Sequence, residues 1–191
     1  MAEFTVTYNP LFWAELNIPP DEVAAKVLSI NEARVQIGAQ PLPVPDLTAA
    51  LTDNLVPVEY TDGSAFLMLN TQMDSPVKVL IECGEVGTTE LLPAAVAKLG
   101  VETVENFSEV QLPNGEMGLR WVSFVPLNQL SGEAPAPDVP NPTIGGFFYF
   151  RLLNKDGTNI VAMGSTFSPD LQLIALVDRE ILALMAGITL A

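Results

Sequence analysis

Carboxylates and arginines are the side chains through which this chain could act chemically. It carries 23 acidic residues, 8 basic ones and no histidine. Two carboxylates can divide acid and base roles when burial raises the pKa of one of them. Pairs of that kind occur at Glu82, Glu85 and Glu90, at Glu105 and Glu109, and at Asp178 and Glu180. A chain this acidic generates such pairs by composition alone, so a solvated acidic face is the plainer reading of each, and no catalytic residue is assigned. Without histidine there is no Ser-His-Asp or Cys-His arrangement and no histidine-containing zinc site. One cysteine cannot build a thiolate site, and neither G-x-x-x-x-G-K-[ST] nor G-x-G-x-x-G is present. No cofactor or metal site is expected.

The arginines stand out because they are few. Arg120 lies in "GLRWVSF" and Arg151 in "FFYFRLL". Side chains on a strand alternate between faces. Arg120 therefore opposes Trp121, and Phe147, Tyr149 and Arg151 oppose Phe148 and Phe150. An exposed face bearing Arg120, Tyr149 and Arg151 would bind an anion or an acidic peptide. The competing reading pairs both arginines with surplus acids. On the other side, Trp121, Phe148 and Met163 are expected to line a pocket between sheet and helix.

Cys83 ends the run "VKVLIEC". Val77, Val79, Ile81 and Cys83 alternate onto one face, so the thiol points with the apolar residues. A core position, a raised pKa and slow reaction with a thiol reagent in the native state are expected.

These residues need elements to hold them. "FTVTY" reads as a short strand. Pro20, Asp21 and Glu22 suit the first turn of a helix that Gly38 ends. Asp46 reads as the cap of a short helix after the proline-rich "AQPLPVPD". Asp62-Gly63, Asn114-Gly115 and Asp156-Gly157 mark three hairpins. "TTELLPAAVAKLG" reads as a helix. In the last helix Ile174, Val177, Ile181, Leu184 and Ile188 repeat at helical spacing, with Ser168 as cap and Pro169 in the first turn. Its further apolar residues Leu171, Leu173, Leu176 and Leu182 imply full burial or a partner-binding face.

The organisation expected is one α+β domain over residues 1–191: an antiparallel sheet of about six or seven strands, helices on one face, and a long C-terminal helix. Residues 1–55 form an N-terminal strand and helical cover, and 56–191 the sheet-and-helix core. Residues 131–145, rich in proline, form an exposed loop.

The net charge of −15 at pH 7 repels phosphates and anionic lipid, so neither nucleic acid nor membrane is an expected partner. No basic apolar leader is evident at the start, and no apolar run reaches the roughly 20 residues of a membrane span. A cytoplasmic location is the simplest expectation.

The segments "SPVKVLIECGEV" followed by "TTELLPAAVAKLG", "GEMGLRWVSFV", and "GGFFYFRLLNKDGTNIVAMGSTFS" before a closing "ILALMAGITL" resemble the PsbP-like fold, and within it the LpqN-type actinobacterial lipoproteins. The resemblance spans about two thirds of the chain, and it carries no lipid-attachment cysteine. It implies an adaptor-type binding or accessory protein and no site residues.

Three functions are therefore expected, in this order. The first is a non-enzymatic cytoplasmic binding or accessory protein, adaptor- or chaperone-like, acting on a protein partner or a second copy of itself. The second is a small-molecule-binding domain with its pocket between sheet and helix. The third is a carboxylate enzyme, assisted by Mg²⁺.

Overall fold

The computed structural model describes residues 3–56, 63–69, 76–86, 107–126, 143–168 and 170–191. Its strands are β1 (Phe4–Val6), β2 (Trp13–Glu15), β3 (Gly63–Met68), β4 (Lys78–Val86), β5 (Phe107–Gln111), β6 (Met117–Pro126), β7 (Thr143–Lys155), β8 (Thr158–Ser168) and β9 (Ile188–Leu190). Its helices are α1 (Val23–Gln36), entered through a 3₁₀ turn at Pro20–Glu22, α2 (Val44–Asn54) and α3 (Leu171–Ala186). Seven strands form one antiparallel sheet in the order β2-β3-β4-β8-β7-β6-β5, and β1 pairs with β9 in a second sheet. The chain is an α+β protein, as the alternation of strand and helix patterns implied.

The longest ladder is the β7–β8 hairpin, which runs from Gly145 opposite Ser168 to Lys155 opposite Thr158. Only Asp156 and Gly157 lie between the strands, both at positive φ (52° and 83°). That backbone matches the twist of the flanking strands, and Asp-Gly adopts it at little cost. The β5–β6 connection is longer than its Asn114-Gly115 signal implied. Leu112 turns into the core, and the loop closes through Leu112 N–H on the Glu116 carbonyl, 2.9 Å.

The alternation of β4 holds: Val79, Ile81 and Cys83 point to one face, packed with Val77, Tyr149, Ala162 and the α3 residues Ile174, Val177, Ile181 and Leu184. Burying each such aliphatic side chain contributes about 1.5–3 kcal/mol. Gly164 lets α3 come close to β8, since a Cβ there would meet Met185 Sδ at 2.6 Å. The opposite face of the same sheet is also covered. Ala65 and Leu67 of β3 pack with Val23, Val27 and Ile30 of α1 and Leu47 and Leu51 of α2. Helices thus lie on both faces, not one. The period of β3 explains it, because Phe66 and Met68 face α3 while Ala65 and Leu67 face α1 and α2.

Several boundaries differ from the sequence reading. α3 is capped by Asp170, not Ser168: the Asp170 carboxylate accepts from Gln172 N–H (2.9 Å) and Leu173 N–H (3.1 Å). Ser168 instead closes β8. Asp46 sits in the first turn of α2, which begins at Val44 after Pro43. α3 stops at Ala186, where the Gly187 carbonyl accepts from Thr7 N–H (2.9 Å) and the backbones approach so closely that a side chain at 187 would strike the Thr7 carbonyl oxygen. The chain then runs on as β9, an element the helical pattern concealed. β7 starts at Thr143, so the end of the expected 131–145 loop is strand. Residues 131–142, the helix expected over 88–100 and Asp62 of the first hairpin turn lie outside the described residues.

Candidate functional site

Arg120, Tyr149 and Arg151 share a face, but it is the face that α3 covers. Tyr149 is 1% exposed and Arg151 6%. Arg120 stands directly opposite Tyr149 across the β6–β7 ladder. Both reach one oxygen of Asp178 on α3: Arg120 Nη1 donates at 2.9 Å and Tyr149 Oη at 2.8 Å. Burial first, then the Asp178 carboxylate, pushes the Tyr149 phenol far above its ordinary pKa.

Arg151 does different work one register further on. Its Nη1 donates to the carbonyls of Met185 (3.0 Å), Ala186 (3.0 Å) and Ile188 (2.8 Å). Its Nε donates to Glu116 Oε2 at 2.6 Å. The last carbonyls of a helix have no partner within it, and they carry the negative end of its dipole. A buried guanidinium there satisfies both. The hydrogen bond from Arg151 holds the Glu116 carboxyl below its ordinary pKa. Both arginines are thus paired with acids, the competing reading above, and they fasten α3 to the sheet.

Trp121, Phe148 and Met163 do come together, on the face away from α3. There Phe107, Trp121, Phe148 and Phe167 form an aromatic row across four strands. Trp121 and Phe148 lie 4.9 Å apart between ring centroids, and Phe148 and Phe167 meet edge to face at 5.7 Å. Trp121, Phe148 and Met163 are half-buried and pack on Val86, Leu119, Phe150 and Val161. The three are a packed cluster rather than the lining of a cavity against α3.

Cys83 is buried, 2% exposed, and burial raises its pKa to about 11. With no thiolate near neutral pH it is an inert core residue. Asp178 and Glu180 do not act as a pair: Asp178 holds Arg120 and Tyr149, while Glu180 lines cavities further along the helix. Glu90 and Glu105 lie outside the described residues.

Open space borders α3 on two sides. A cleft of about 550 Å³ beside Asp178 is bordered by Gln111, Leu112, Pro113, Gly115, Arg179 and Leu182. The rest lies on the side away from Asp178. A cavity of about 540 Å³ is bordered by Leu11, Phe12, Arg34, Ala39, Leu42, Met68, Leu69, Leu176, Val177 and Glu180. A second, of about 300 Å³, adjoins it and is bordered by Thr7, Tyr8, Asn9, Trp13, Glu180, Ala183 and Leu184. Positions 176, 180 and 184 recur at the four-residue spacing of one helix face. The opposite wall is the β1–β2 connection, with α1 behind it. Arg34 fixes that wall by donating to the Leu11 carbonyl (3.1 Å) and the Gln40 carbonyl (2.9 Å). Little in the sequence points to this groove. Its one clue was Leu176, which fell outside the main helical series and is 80% exposed. No protein-family model matches the chain, and no curated protein sequence matches it.

Proposed function

We propose that this chain is a non-enzymatic binding protein whose ligand, a small molecule with an apolar body, sits in the groove along α3. The observation that carries this reading is the 540 Å³ cavity beside α3. Its volume falls within the roughly 300–1,000 Å³ of small-molecule sites, and its wall is mainly apolar with few charged groups. The pairing of Arg120 and Arg151 with acids speaks for the same reading, because it removes the anion-binding surface as a competitor. A cytoplasmic location is part of the proposal, and an unpaired, buried Cys83 suits a reducing compartment. So is the PsbP-like relation, supported by the antiparallel sheet with α3 against it. Thermal-shift screening of metabolites tests the proposal, with Ala39→Trp as a variant that fills the cavity. Ligands that raise the melting temperature of the wild type and not of the variant support it. The absence of any such ligand overturns it.

Action through a protein partner or a second copy is the second reading. Phe124 and Phe167 favour it: both are exposed, and they lie opposite Gly145 and Gly146 at one end of the sheet. Light scattering tests the self-associating form, which a monodisperse monomer would overturn.

A further inference from the structure

Two opposite charges, Arg34 and Glu180, border the 540 Å³ cavity without bonding to each other. Arg34 commits Nε to the Gln40 carbonyl and Nη1 to the Leu11 carbonyl, and among the described residues Nη2 has no partner. Glu180 is half-buried, and it makes no ion pair or hydrogen bond to a described residue. Between them the wall is Leu11, Phe12, Leu42, Met68, Leu69 and Leu176. A ligand with a carboxylate alone would satisfy Arg34 and be repelled by Glu180. A ligand with an ammonium alone would meet the reverse conflict. Only a molecule bearing both, around an apolar body, answers every group on the wall.

We propose, resting on the small-molecule reading above, that the groove binds an apolar zwitterion: a free amino acid with an apolar side chain, or a short apolar peptide with both ends free. Its carboxylate is held by Arg34 and its ammonium by Glu180. Charge-assisted hydrogen bonds of this kind are roughly twice as strong as neutral ones. A zwitterion is neutral overall, so the −15 charge of the chain does not oppose its approach as it would that of an anion. The adjoining cavity points the same way. It shares Glu180 and is lined by Trp13, 2% exposed, whose indole Nε1–H has no hydrogen-bond partner among the described residues. A polar ligand group that reached this donor would complete it. The second cavity also gives room for a peptide longer than one residue.

The test is an amide NMR titration of the full chain, following Leu69, Leu176 and Glu180. The probes are L-leucine, L-leucyl-L-leucine, 4-methylpentanoate, which lacks the ammonium, and 3-methylbutylamine, which lacks the carboxylate. Leucine or the dipeptide is expected to bind at least tenfold more tightly than either half-ligand, and the tighter of the two identifies the source. Glu180→Gln is expected to weaken the zwitterion at least tenfold, to leave 4-methylpentanoate unchanged or stronger, and to melt like the wild type. If a half-ligand binds as tightly as the zwitterion, the zwitterion assignment is wrong and the small-molecule reading stands. If no probe moves these amides, the zwitterion assignment is overturned, and the thermal-shift screen alone decides the small-molecule reading.

Discussion

The two faces of the β6–β7–β8 region are built from alternate residues of the same strands, yet they are held by different forces. On the α3 face, Arg120 and Tyr149 meet Asp178, and Arg151 meets the end of the helix. On the other face, Phe107, Trp121, Phe148, Phe150 and Phe167 meet one another. A helix lying across a sheet can slide and rotate on apolar contacts alone. Directional hydrogen bonds at two points along it fix its register. Among the described residues the aromatic face has no comparable polar anchor, and its rings are carried by paired strands. Polar residues in the middle of an apolar strand therefore mark where another element is fastened, not where a ligand binds.

Neighbouring residues give the strongest test of this contrast. Phe150→Ala should cost about 3–5 kcal/mol in urea denaturation, the usual loss for a buried phenylalanine. Arg151→Met should cost about 3 kcal/mol, because it leaves the buried carbonyls at the end of α3 without a donor. Arg151→Lys should recover less than half of that, since one ammonium cannot reproduce the guanidinium fork. Full recovery with lysine would reduce Arg151 to a simple charge and break the contrast. Gly187→Ala comes next, at about 1–3 kcal/mol, because a Cβ there must push Thr7 away. Its loss should appear in hydrogen exchange at β1 and β9 and leave the aromatic face unaffected.

Smaller effects sharpen the picture. Tyr149→Phe should cost about 1.5 kcal/mol by removing the donor to a charged Asp178. The phenol of the unfolded chain ionises near pH ~10 and that of the folded chain higher. The contribution of Tyr149 is thus complete below about pH 10 and is lost as the pH rises further. Wild type should therefore destabilise more steeply at alkaline pH than Tyr149→Phe. Glu116→Gln should cost less than about 1 kcal/mol, because Glu116 is exposed. Its pKa is lowered in the fold, so its contribution is present above pH ~4.3 and is lost as the pH falls through the lower folded value. Wild type and Glu116→Gln should converge in acid. A Glu116→Gln loss equal to that of Arg151→Met would place the energy in the ion pair instead of the helix cap.

Strand faces were legible in the sequence. A period of two assigned Val79, Ile81 and Cys83 to one side, and separated Tyr149 and Arg151 from Phe148 and Phe150. What covers each face was not legible, because period reports which residues agree and not what they meet. Arg151 looks the same in sequence whether it faces water or the carbonyls of a helix 35 residues away. The end of α3 was hidden for a related reason. Ile188 continues the helical spacing, and only the pairing with β1, begun by Thr7 N–H on the Gly187 carbonyl, takes the chain out of the helix. The α3 groove draws on residues from Leu11 to Glu180, and no local spacing joins them.

The pairing of β1 with β9 has a mechanical consequence. The strands are antiparallel, with Phe4 beside Leu190 and Val6 beside Ile188, and Ala191 N–H also reaches the Glu3 carbonyl at 3.0 Å. A pull applied before Phe4 and after Ala191 loads this ladder one hydrogen bond at a time, as an unzipping rather than a shear. Held by its two ends, the protein should open at low force. The first pieces to come away would be β1 and β9, before the seven-stranded sheet bears any load.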